Sequence, residues 1–369
     1  MIALSPPRDK RRARAQWFAH RLALTLAVSA PESEDFLQGV RWLTTTDKGL
    51  DRGAFLSRHG LAAGVAARLE RVNGLSPLPA ALGELLANEL RTASVMYLAQ
   101  MHSMSMIISA LERHDITYVV LKGLSLREEV YTEPTTRVAG DADLLVHPSS
   151  LAATERLLIQ HGFRLHSESE RSAHERTYSN GHVDVDLHWD VLRPGRTRYP
   201  VVESMLSGRI RGKGLWRPSD ADTVFLMLVH PAFAKYVCSP HMGLNRVLDF
   251  ILFTNSRQID WAAVEKRLDD TGMKAAGWCT LHWFRLVTPL SLAVPVSFVD
   301  AISPGKFRRA YLAFWIEHDL PGRLLGRCDW FIRGAFTLLL HDRAHDAWRA
   351  LRARLEPYAI TRDRRAGVA

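Results

Sequence analysis

The chain has 369 residues, of which 47% are hydrophobic and 24% are charged, so it can bury the cores of two or three ordinary globular domains. Its formal charge of +9 excludes an acidic chain and suits a nucleotide, a nucleic acid or an anionic surface as a partner. The cysteines Cys238, Cys279 and Cys328 are isolated, which argues against a disulfide framework or a zinc site.

The amino-terminal third of the chain has a helical pattern. Residues 1–14 are strongly basic, and their composition predicts a disordered tail. From residue 15 to residue 115, apolar residues recur at three- to four-residue spacing and predict an N-terminal helical region. In the segment 91–114 one apolar stripe predicts a helix face that packs on a core. The stripe consists of Val95, Leu98, Met101, Met104, Ile108 and Leu111.

A predicted strand and helix meet at a glycine turn. Residues 116–121 form a short apolar, β-branched run that ends in Lys122 and Gly123, and residues 124–131 have helical composition. At the start of a helix, free backbone N–H groups and the helix dipole both favour an anion. The Lys122 ammonium at this turn either contacts phosphate or is simply solvated at the strand end.

Two carboxylates begin the next predicted strand. Asp141 and Asp143 follow Gly140 and precede the apolar run Leu-Leu-Val. Side chains two residues apart on a strand point to the same face, where two acids repel each other. A divalent cation relieves this repulsion, and Mg²⁺ commonly binds one or two carboxylates together with phosphate oxygens. The pair therefore predicts a metal site.

A second acidic strand follows a short helix. Residues 149–162 have a serine start and a glycine end, as a helix does, and residues 163–166 and 177–179 predict further strand pieces. Residues 182–189 then alternate strictly, so that Asp184, Asp186 and His188 share one face of a strand. Asp186 is the favoured third carboxylate, and Asp184 is the alternative.

The rest of the chain, residues 201–369, predicts a C-terminal helical region. Ser219 with Asp222 resembles a capping box, and Asp260 and Gly272 predict the ends of another helix. Residues 307–355 have helical composition with many arginines. No run approaches the roughly 18 apolar residues that a membrane span requires, so no membrane span is predicted.

These motifs together resemble the uncharacterised nucleotidyltransferase family of the DNA-polymerase-β-like superfamily. The resemblance implies an α+β fold: a small mixed β-sheet core over residues 116–200, with helices packed on one side, flanked by the two helical regions. It also implies transfer of a nucleotidyl group that depends on Mg²⁺ (or Mn²⁺), with ATP or another NTP as donor. The motifs are Lys122-Gly123, Arg137, Gly140-Asp141-Ala-Asp143-Leu-Leu-Val and Val185-Asp186-Leu-His188-Trp189.

The resemblance also implies roles for individual residues, in three groups. The catalytic and metal-binding residues are Asp141, Asp143 and Asp186. The nucleotide-binding residues are Lys122, Gly123, Ser125 and Arg137. The candidates for a substrate pocket are His188, Asp184, His230 and His241, with Arg246 and Asp249 nearby in the sequence.

Two of these roles stay open at this stage. Arg137 either stabilises charge in the transition state or holds the carboxylate pair by a salt bridge. His188 contacts substrate, serves as an auxiliary ligand, or only forms a hydrogen bond beside the site.

One departure from the superfamily pattern bears on activity. Active members usually have a Gly-Ser pair in the first turn, where this chain has Lys122-Gly123-Leu-Ser125. Either Lys122 replaces the serine contact with phosphate, or nucleotide binding differs. The alternatives to an enzyme are a nucleotidyltransferase-fold accessory protein of a biosynthetic cluster and a nucleic-acid-binding protein. The latter is not favoured because the arginines are scattered. The acceptor is open: a small molecule, a peptide or a protein.

The amino terminus superficially resembles a secretion signal, since basic residues precede the apolar segment 22–30. The apolar run is short, however, and Trp17 to Arg21 interrupt the region. An enzyme that uses nucleotides also needs the cytosol. We therefore expect a cytoplasmic protein.

Overall fold

The computed structural model describes residues 8–31, 33–45, 50–72, 78–166, 174–238, 242–288, 291–321 and 329–355. Five helices form the N-terminal helical region. They are α1 (Arg8–Val28), α2 (Glu34–Thr44), α3 (Arg52–Arg58), α4 (Ala62–Arg71) and α5 (Ala80–Arg113).

Helix α1 corrects the prediction of a disordered tail. It begins at Arg8, so residues 8–14 are helical, whereas residues 1–7 lie outside the described residues. Arg, Lys and Ala, which make up most of this segment, are good helix formers. The apolar segment further along α1 is part of the core, where Leu22, Leu24 and Leu26 are buried.

The apolar stripe of α5 packs on the core only in its C-terminal half. Met104, Ile108 and Leu111 are buried, as predicted, but Val95 and Leu98 are 67% and 65% exposed. The prediction was therefore wrong for the N-terminal half of the stripe.

A polar residue explains why the apolar pattern of α5 misplaced its buried face. Gln100 is fully buried, and its Nε2 donates to the carbonyl oxygen of Ala139 at 2.9 Å. Its Oε1 accepts from Nη1 of the buried Arg127 at 2.8 Å. Because these hydrogen bonds satisfy the buried amide, Gln100 can lie on the inward face of α5 although it is not part of the predicted apolar stripe.

A mixed five-stranded sheet forms the centre of the chain, as predicted. Its spatial order is β1-β2-β5-β4-β3; β2 and β5 are parallel, and the other neighbours are antiparallel. The strands are β1 (Tyr118–Leu121), β2 (Asp141–Val146), β3 (Arg164–Leu165), β4 (Glu175–Ser179) and β5 (Asp184–His188). The helices within this part are α6 (Lys122–Val130) and α7 (Leu151–Gln160), and two 3-10 turns span Pro134–Thr136 and Pro148–Ser150.

The strict alternation of β5 gives the sheet two different faces. Val185 and Leu187 point to one face, where they share a hydrophobic cluster with Leu111 of α5 and Leu158 of α7. The acidic side chains of β2 and β5 therefore point to the opposite face. Trp189 is buried in the same apolar cluster.

The C-terminal region is helical apart from one small β-ribbon. Its first elements are α8 (Val202–Ser207), β6 (Ile210–Arg211), β7 (Trp216–Arg217), α9 (Asp220–Ala234) and α10 (Asn245–Asn255). It continues with α11 (Trp261–Thr271), α12 (Lys274–Val287), α13 (Val296–Ala301), α14 (Lys306–Glu317), α15 (Asp329–Leu338) and α16 (Ala344–Leu355). Within the described ranges, none of the helices combines the length and the apolar character of a membrane span.

The predicted caps of this region are confirmed. The Ser219 hydroxyl accepts from the backbone N–H of Asp222 at 3.1 Å and so starts α9. Asp260 caps α11 in the same way, and Gly272 ends that helix with a φ of 73°, a left-handed conformation that glycine adopts without strain. Cys238 and Cys279 are buried free thiols, and Cys328 lies outside the described residues.

Candidate active site

A cavity of about 660 Å³ lies against the polar face of the sheet. Its lining comes from the β1–α6 turn, from β2 and β5, and from helices α9 and α10 of the C-terminal region. Two parts of the chain that are distant in sequence therefore share one site.

The register of the sheet brings the predicted acids together. Asp141 pairs with Asp184 and Asp143 with Asp186 across the parallel strands β2 and β5. Asp143 is buried, Asp186 is half-buried, and Asp141 and Asp184 are exposed. Asp141, Asp143 and Asp186 line the cavity, but Asp184 does not belong to its lining.

Asp143 is held by two partners. Lys122 Nζ donates to its Oδ1 at 2.5 Å, and His188 Nε2 lies 2.9 Å from the same oxygen. Burial by itself raises the pKa of Asp143, but the attraction of Lys122 and the hydrogen bond from His188 outweigh it and hold the pKa well below its usual range. Asp143 therefore stays ionised at any physiological pH.

Asp141 responds in the opposite way. Repulsion from Asp143 comes first, followed by loss of hydration and repulsion from Asp186, and together they raise the pKa of Asp141 to about 6 although its side chain still contacts solvent. Lys122 only partly offsets these effects. Asp186 in turn accepts a hydrogen bond from Thr177 Oγ1 at 2.6 Å. This corner of the cavity therefore has an excess of negative charge.

The residues fit a divalent cation. Possible ligand atoms of Asp143, Asp186 and His188 lie within 4.8 Å of one another, so the two carboxylates can share one ion while His188 stays hydrogen-bonded to Asp143. The raised pKa of Asp141 reflects repulsion between neighbouring carboxylates, and a divalent cation between them would reduce this repulsion. Carboxylate oxygens are the ligands that Mg²⁺ and Mn²⁺ prefer.

The β1–α6 turn has an unusual backbone. Lys122 has a φ of 52°, in the left-handed region that a non-glycine residue adopts only at a cost of about 1 kcal/mol. This conformation lets α6 begin directly at the end of β1. It also places the Lys122 ammonium against Asp143. No side chain caps the N-terminus of α6 among the described residues, so its first backbone N–H groups are available to an anion.

Gly123 and Ser125 shape this turn. A Cβ on Gly123 would lie 3.2 Å from Arg137 Nη1 and 3.3 Å from the Ala139 Cβ, so glycine leaves the room that the guanidinium needs. Ser125 is buried, and its hydroxyl donates to the Lys122 carbonyl oxygen at 3.3 Å. Ser125 therefore supports the turn and also lines the cavity.

Arg137 does not bind the carboxylate pair. Its Nε and Nη2 donate to Asp249 of α10 at 3.1 and 2.6 Å, a bidentate pair that is buried on both sides. Tyr131 also donates to Asp249, at 2.8 Å. The prediction that Arg137 locks Asp141 and Asp143 by a salt bridge was therefore wrong, because the C-terminal region supplies its partner.

The wall formed by α9 and α10 is basic. Arg246 lines the cavity, and within the described part of the chain its guanidinium has no hydrogen bond or ion pair. Burial, followed by repulsion from Arg137, lowers the pKa of Arg246. Burial and the nearby Lys122 and Arg246 also hold the pKa of His230 well below its usual range, so its imidazole is neutral at pH 7. Asp249, Asp141 and Asp143 attract Arg246 from beyond the distance of an ion pair.

The sheet, the acids and this basic wall belong to one recognisable unit. A protein-family model described as an uncharacterised nucleotidyltransferase matches residues 54–289, more than half of the 369-residue chain. The chain belongs to this family. A search of curated proteins finds no match to it.

The nucleotidyltransferase unit begins within α3 and ends just after α12. It therefore contains the whole sheet together with α9 and α10, which supply His230, Arg246 and Asp249. The C-terminal helices up to residue 289 are part of the family's shared architecture.

Most of the predicted site residues of this chain lie around one cavity. The residues that line it are Lys122, Gly123, Ser125, Arg137, Asp141, Asp143, Asp186, His188 and His230. Asp184 is not among them, and His241 lies outside the described residues. Their individual roles remain predictions.

Sequence analysis missed the contribution of β4 to the nucleotidyltransferase site. Glu175 pairs in register with His188, and both Glu175 and His174 line the cavity. The predicted strand began only at Thr177, which left Glu175 in a loop. The alternation of Glu175, Thr177 and Ser179 was the available signal, since it places all three on one face of a strand.

Proposed function

We propose that the protein transfers a nucleoside monophosphate from a nucleoside triphosphate, with ATP as the expected donor, to a hydroxyl or phosphate acceptor. The observation that carries the proposal is that one cavity is lined by three acids on adjacent strands and by Arg246, which forms no ion pair with the described residues. The acids suit a metal-bound phosphate, and Arg246 suits the charge of a polyphosphate chain.

Each residue has a distinct place in this reaction. Asp141, Asp143 and Asp186 would hold Mg²⁺ or Mn²⁺, which when bound supplies charge neutralisation at the phosphate oxygens. Arg246 and the open N-terminus of α6 bind the β- and γ-phosphates and keep the α-phosphorus in line with the acceptor. Lys122 sets the charge and position of Asp143.

The reaction balances as a single displacement. The acceptor oxygen forms a bond to the α-phosphorus, the bond between the α-phosphorus and the bridging oxygen breaks, and pyrophosphate leaves. The proton of an acceptor hydroxyl passes to Asp186, whose Oδ1 already accepts from Thr177. Catalysis consists mainly of positioning and charge stabilisation.

One observation favours a second candidate, an accessory protein that binds nucleotide without transferring it. Lys122 stands where active relatives have the Gly-Ser pair, and its ammonium lies directly on Asp143. In this alternative Lys122 takes the place of the cation permanently, and nucleotide binding needs no metal.

Calorimetric titration with ATP, with and without Mg²⁺, separates the two candidates. For transfer we expect binding that depends on Mg²⁺ and is lost in Asp143→Asn. Arg246→Gln should weaken it by ~10–100-fold, because a charge-assisted hydrogen bond contributes about 1.5–3 kcal/mol. Asp300→Asn and Arg285→Gln, at exposed positions on α13 and α12, are the matched controls and should bind as the wild type does. Binding that persists without Mg²⁺ and in Asp143→Asn would favour the accessory protein.

A further inference from the structure

We propose that His174, Glu175 and His188 form a separate binding site for a divalent transition metal, with Zn²⁺ preferred to Mg²⁺. This site goes beyond nucleotidyl transfer, because the ion would bind without any nucleotide. His174, Glu175 and His188 have their ligand atoms within 4.8 Å of one another.

The distances suit a tetrahedral ion. Glu175 Oε2 lies 3.3 Å from His188 Nδ1 and 3.5 Å from His174 Nε2. Zinc binds nitrogen and oxygen at about 2.0–2.2 Å, so neighbouring ligand atoms of a tetrahedral site lie roughly 3.3–3.6 Å apart. Two of the distances between ligand atoms therefore already match those of a tetrahedral zinc site.

The orientation of His188 supplies an independent argument. His188 is 1% exposed, and its Nε2 lies 2.9 Å from Asp143 Oδ1. The same oxygen accepts a hydrogen bond from Lys122 Nζ, so Nε2 is the donor in its contact with Asp143. The lone pair of Nδ1 then faces Glu175 Oε2, a second acceptor, and Nδ1 has no hydrogen bond within the described part of the chain. Two acceptors at this distance repel each other unless a cation lies between them.

Asp143 completes a known pattern of metal sites. A histidine that binds a metal usually donates its other ring N–H to a carboxylate, which fixes the tautomer and orients the ring. The contact of Asp143 with His188 Nε2 does this and leaves Nδ1 for the ion.

The backbone holds His174 where the site requires it. Its carbonyl oxygen accepts from Trp189 N at 3.0 Å, which extends the pairing of β4 and β5 by one residue. Two imidazoles and a carboxylate with an open fourth position are a donor set for zinc, whereas Mg²⁺ prefers oxygen ligands alone.

Cobalt is a suitable probe, because tetrahedral Co²⁺ with nitrogen ligands absorbs visible light far more strongly than six-coordinate Co²⁺ in an oxygen site. Metal-stripped full-length protein would be titrated with Co²⁺ in the absence of nucleotide and then with Zn²⁺. We expect a strong visible band at one equivalent that Zn²⁺ removes and an excess of Mg²⁺ does not.

The variants locate the ion. His174→Gln and Glu175→Gln should each abolish the band, and Asp143→Asn should weaken Co²⁺ binding by ~10–100-fold because it removes the carboxylate that orients His188. His182→Gln, at an exposed histidine just before β5, should bind as the wild type does. Circular dichroism and thermal unfolding would verify that each variant is folded.

A band that survives in both His174→Gln and Glu175→Gln would overturn the proposal, as would a weak spectrum of six-coordinate cobalt. The absence of a band would also overturn the proposal, and would mean that His188 is an imidazolium between two carboxylates. Because no nucleotide is present, these results do not depend on whether the protein transfers nucleotides.

Discussion

At the scale of single residues, Asp141 and Asp143 differ in charge state although they stand two positions apart on β2. Lys122 and His188 stabilise the ionised form of Asp143 against its burial, whereas Asp141 is left with the repulsion of the other acids. Asp143 therefore adds stability at every pH above its unfolded pKa, and this is lost only as the pH falls through its lowered folded pKa. Asp141 does the reverse, because its charge costs stability as the pH rises from about 4 to about 6.

Replacement of Asp141 by asparagine should therefore stabilise the metal-free protein at pH 7.5. The variant removes the repulsion with Asp143 and Asp186 while it keeps the shape of the side chain. Urea unfolding at pH 7.5 and at pH 4 measures the effect, which should shrink at pH 4, where Asp141 is protonated. Asp300→Asn is the control. A variant that is less stable than the wild type at pH 7.5, or equally stabilised at both pH values, would contradict this account.

Cation binding at the acidic corner should depend on pH in the same range. A proton on Asp141 competes with the ion, so the affinity for Mn²⁺ should fall below pH 6 by up to about tenfold per pH unit. Asp143 remains ionised throughout this range and cannot produce the change. Titration of Mn²⁺ by electron paramagnetic resonance between pH 5 and pH 7.5, with His174→Gln as background to remove the histidine site, provides the measurement. A constant affinity would show that Asp141 does not contact the ion.

At the scale of elements, the buried pair of Arg137 and Asp249 joins the segment before β2 to helix α10. Each carries a charge that would be costly in isolation, since the side chains are 8% and 3% exposed. Tyr131 adds a hydrogen bond to the same carboxylate. This contact fixes the basic wall of the cavity relative to the acidic strands.

Removal of one partner of this pair should be strongly destabilising. Asp249→Leu leaves a buried guanidinium without a counterion, and we expect a loss of ~3–5 kcal/mol in the free energy of unfolding. The double variant Arg137→Met with Asp249→Leu removes both charges and should recover part of that loss. Glu34→Gln breaks an exposed pair with Arg41 and should cost at most about 1 kcal/mol. Urea unfolding compares the four proteins, and a double variant no more stable than Asp249→Leu would be inconsistent with a charge effect.

The same elements show how far sequence reasoning extends. The period-two alternation of Asp184, Asp186 and His188 predicted their common face, because the side chains of a strand can only alternate. The end of β1 and the caps of α9 and α11 were also predictable, because they depend on residues that are close together in the sequence. The partner of Arg137 was not predictable, since Asp249 lies 112 residues away and only tertiary packing brings it near. The burial of Gln100 was not predictable from the apolar pattern of α5, because it depends on a hydrogen bond with Arg127, which lies 27 residues away.

At the scale of the whole molecule, the cavity requires the C-terminal helices. Val119, Leu121 and Leu145 of the sheet share one hydrophobic cluster with residues of α9 and α10. The family match likewise extends through α12 to residue 289. The acidic core and the helical region thus share one hydrophobic cluster as well as one site.

An isolated fragment of residues 116–200 should therefore not fold. It would expose Val119, Leu121 and Leu145 and would leave Arg137 without Asp249. Circular dichroism and the dispersion of amide resonances would detect this, with the full-length protein as the folded control. A short fragment with a cooperative unfolding transition would show that the sheet is independent of the helices.

The most direct test of the proposed reaction uses ATP labelled in parallel at the α- and the γ-phosphate, incubated with the protein, Mg²⁺ and a lysate as the source of acceptor. The account predicts that the α label enters a product, that pyrophosphate is released, and that Asp143→Asn abolishes both. Transfer of the γ label alone would make the protein a kinase and would contradict the central claim.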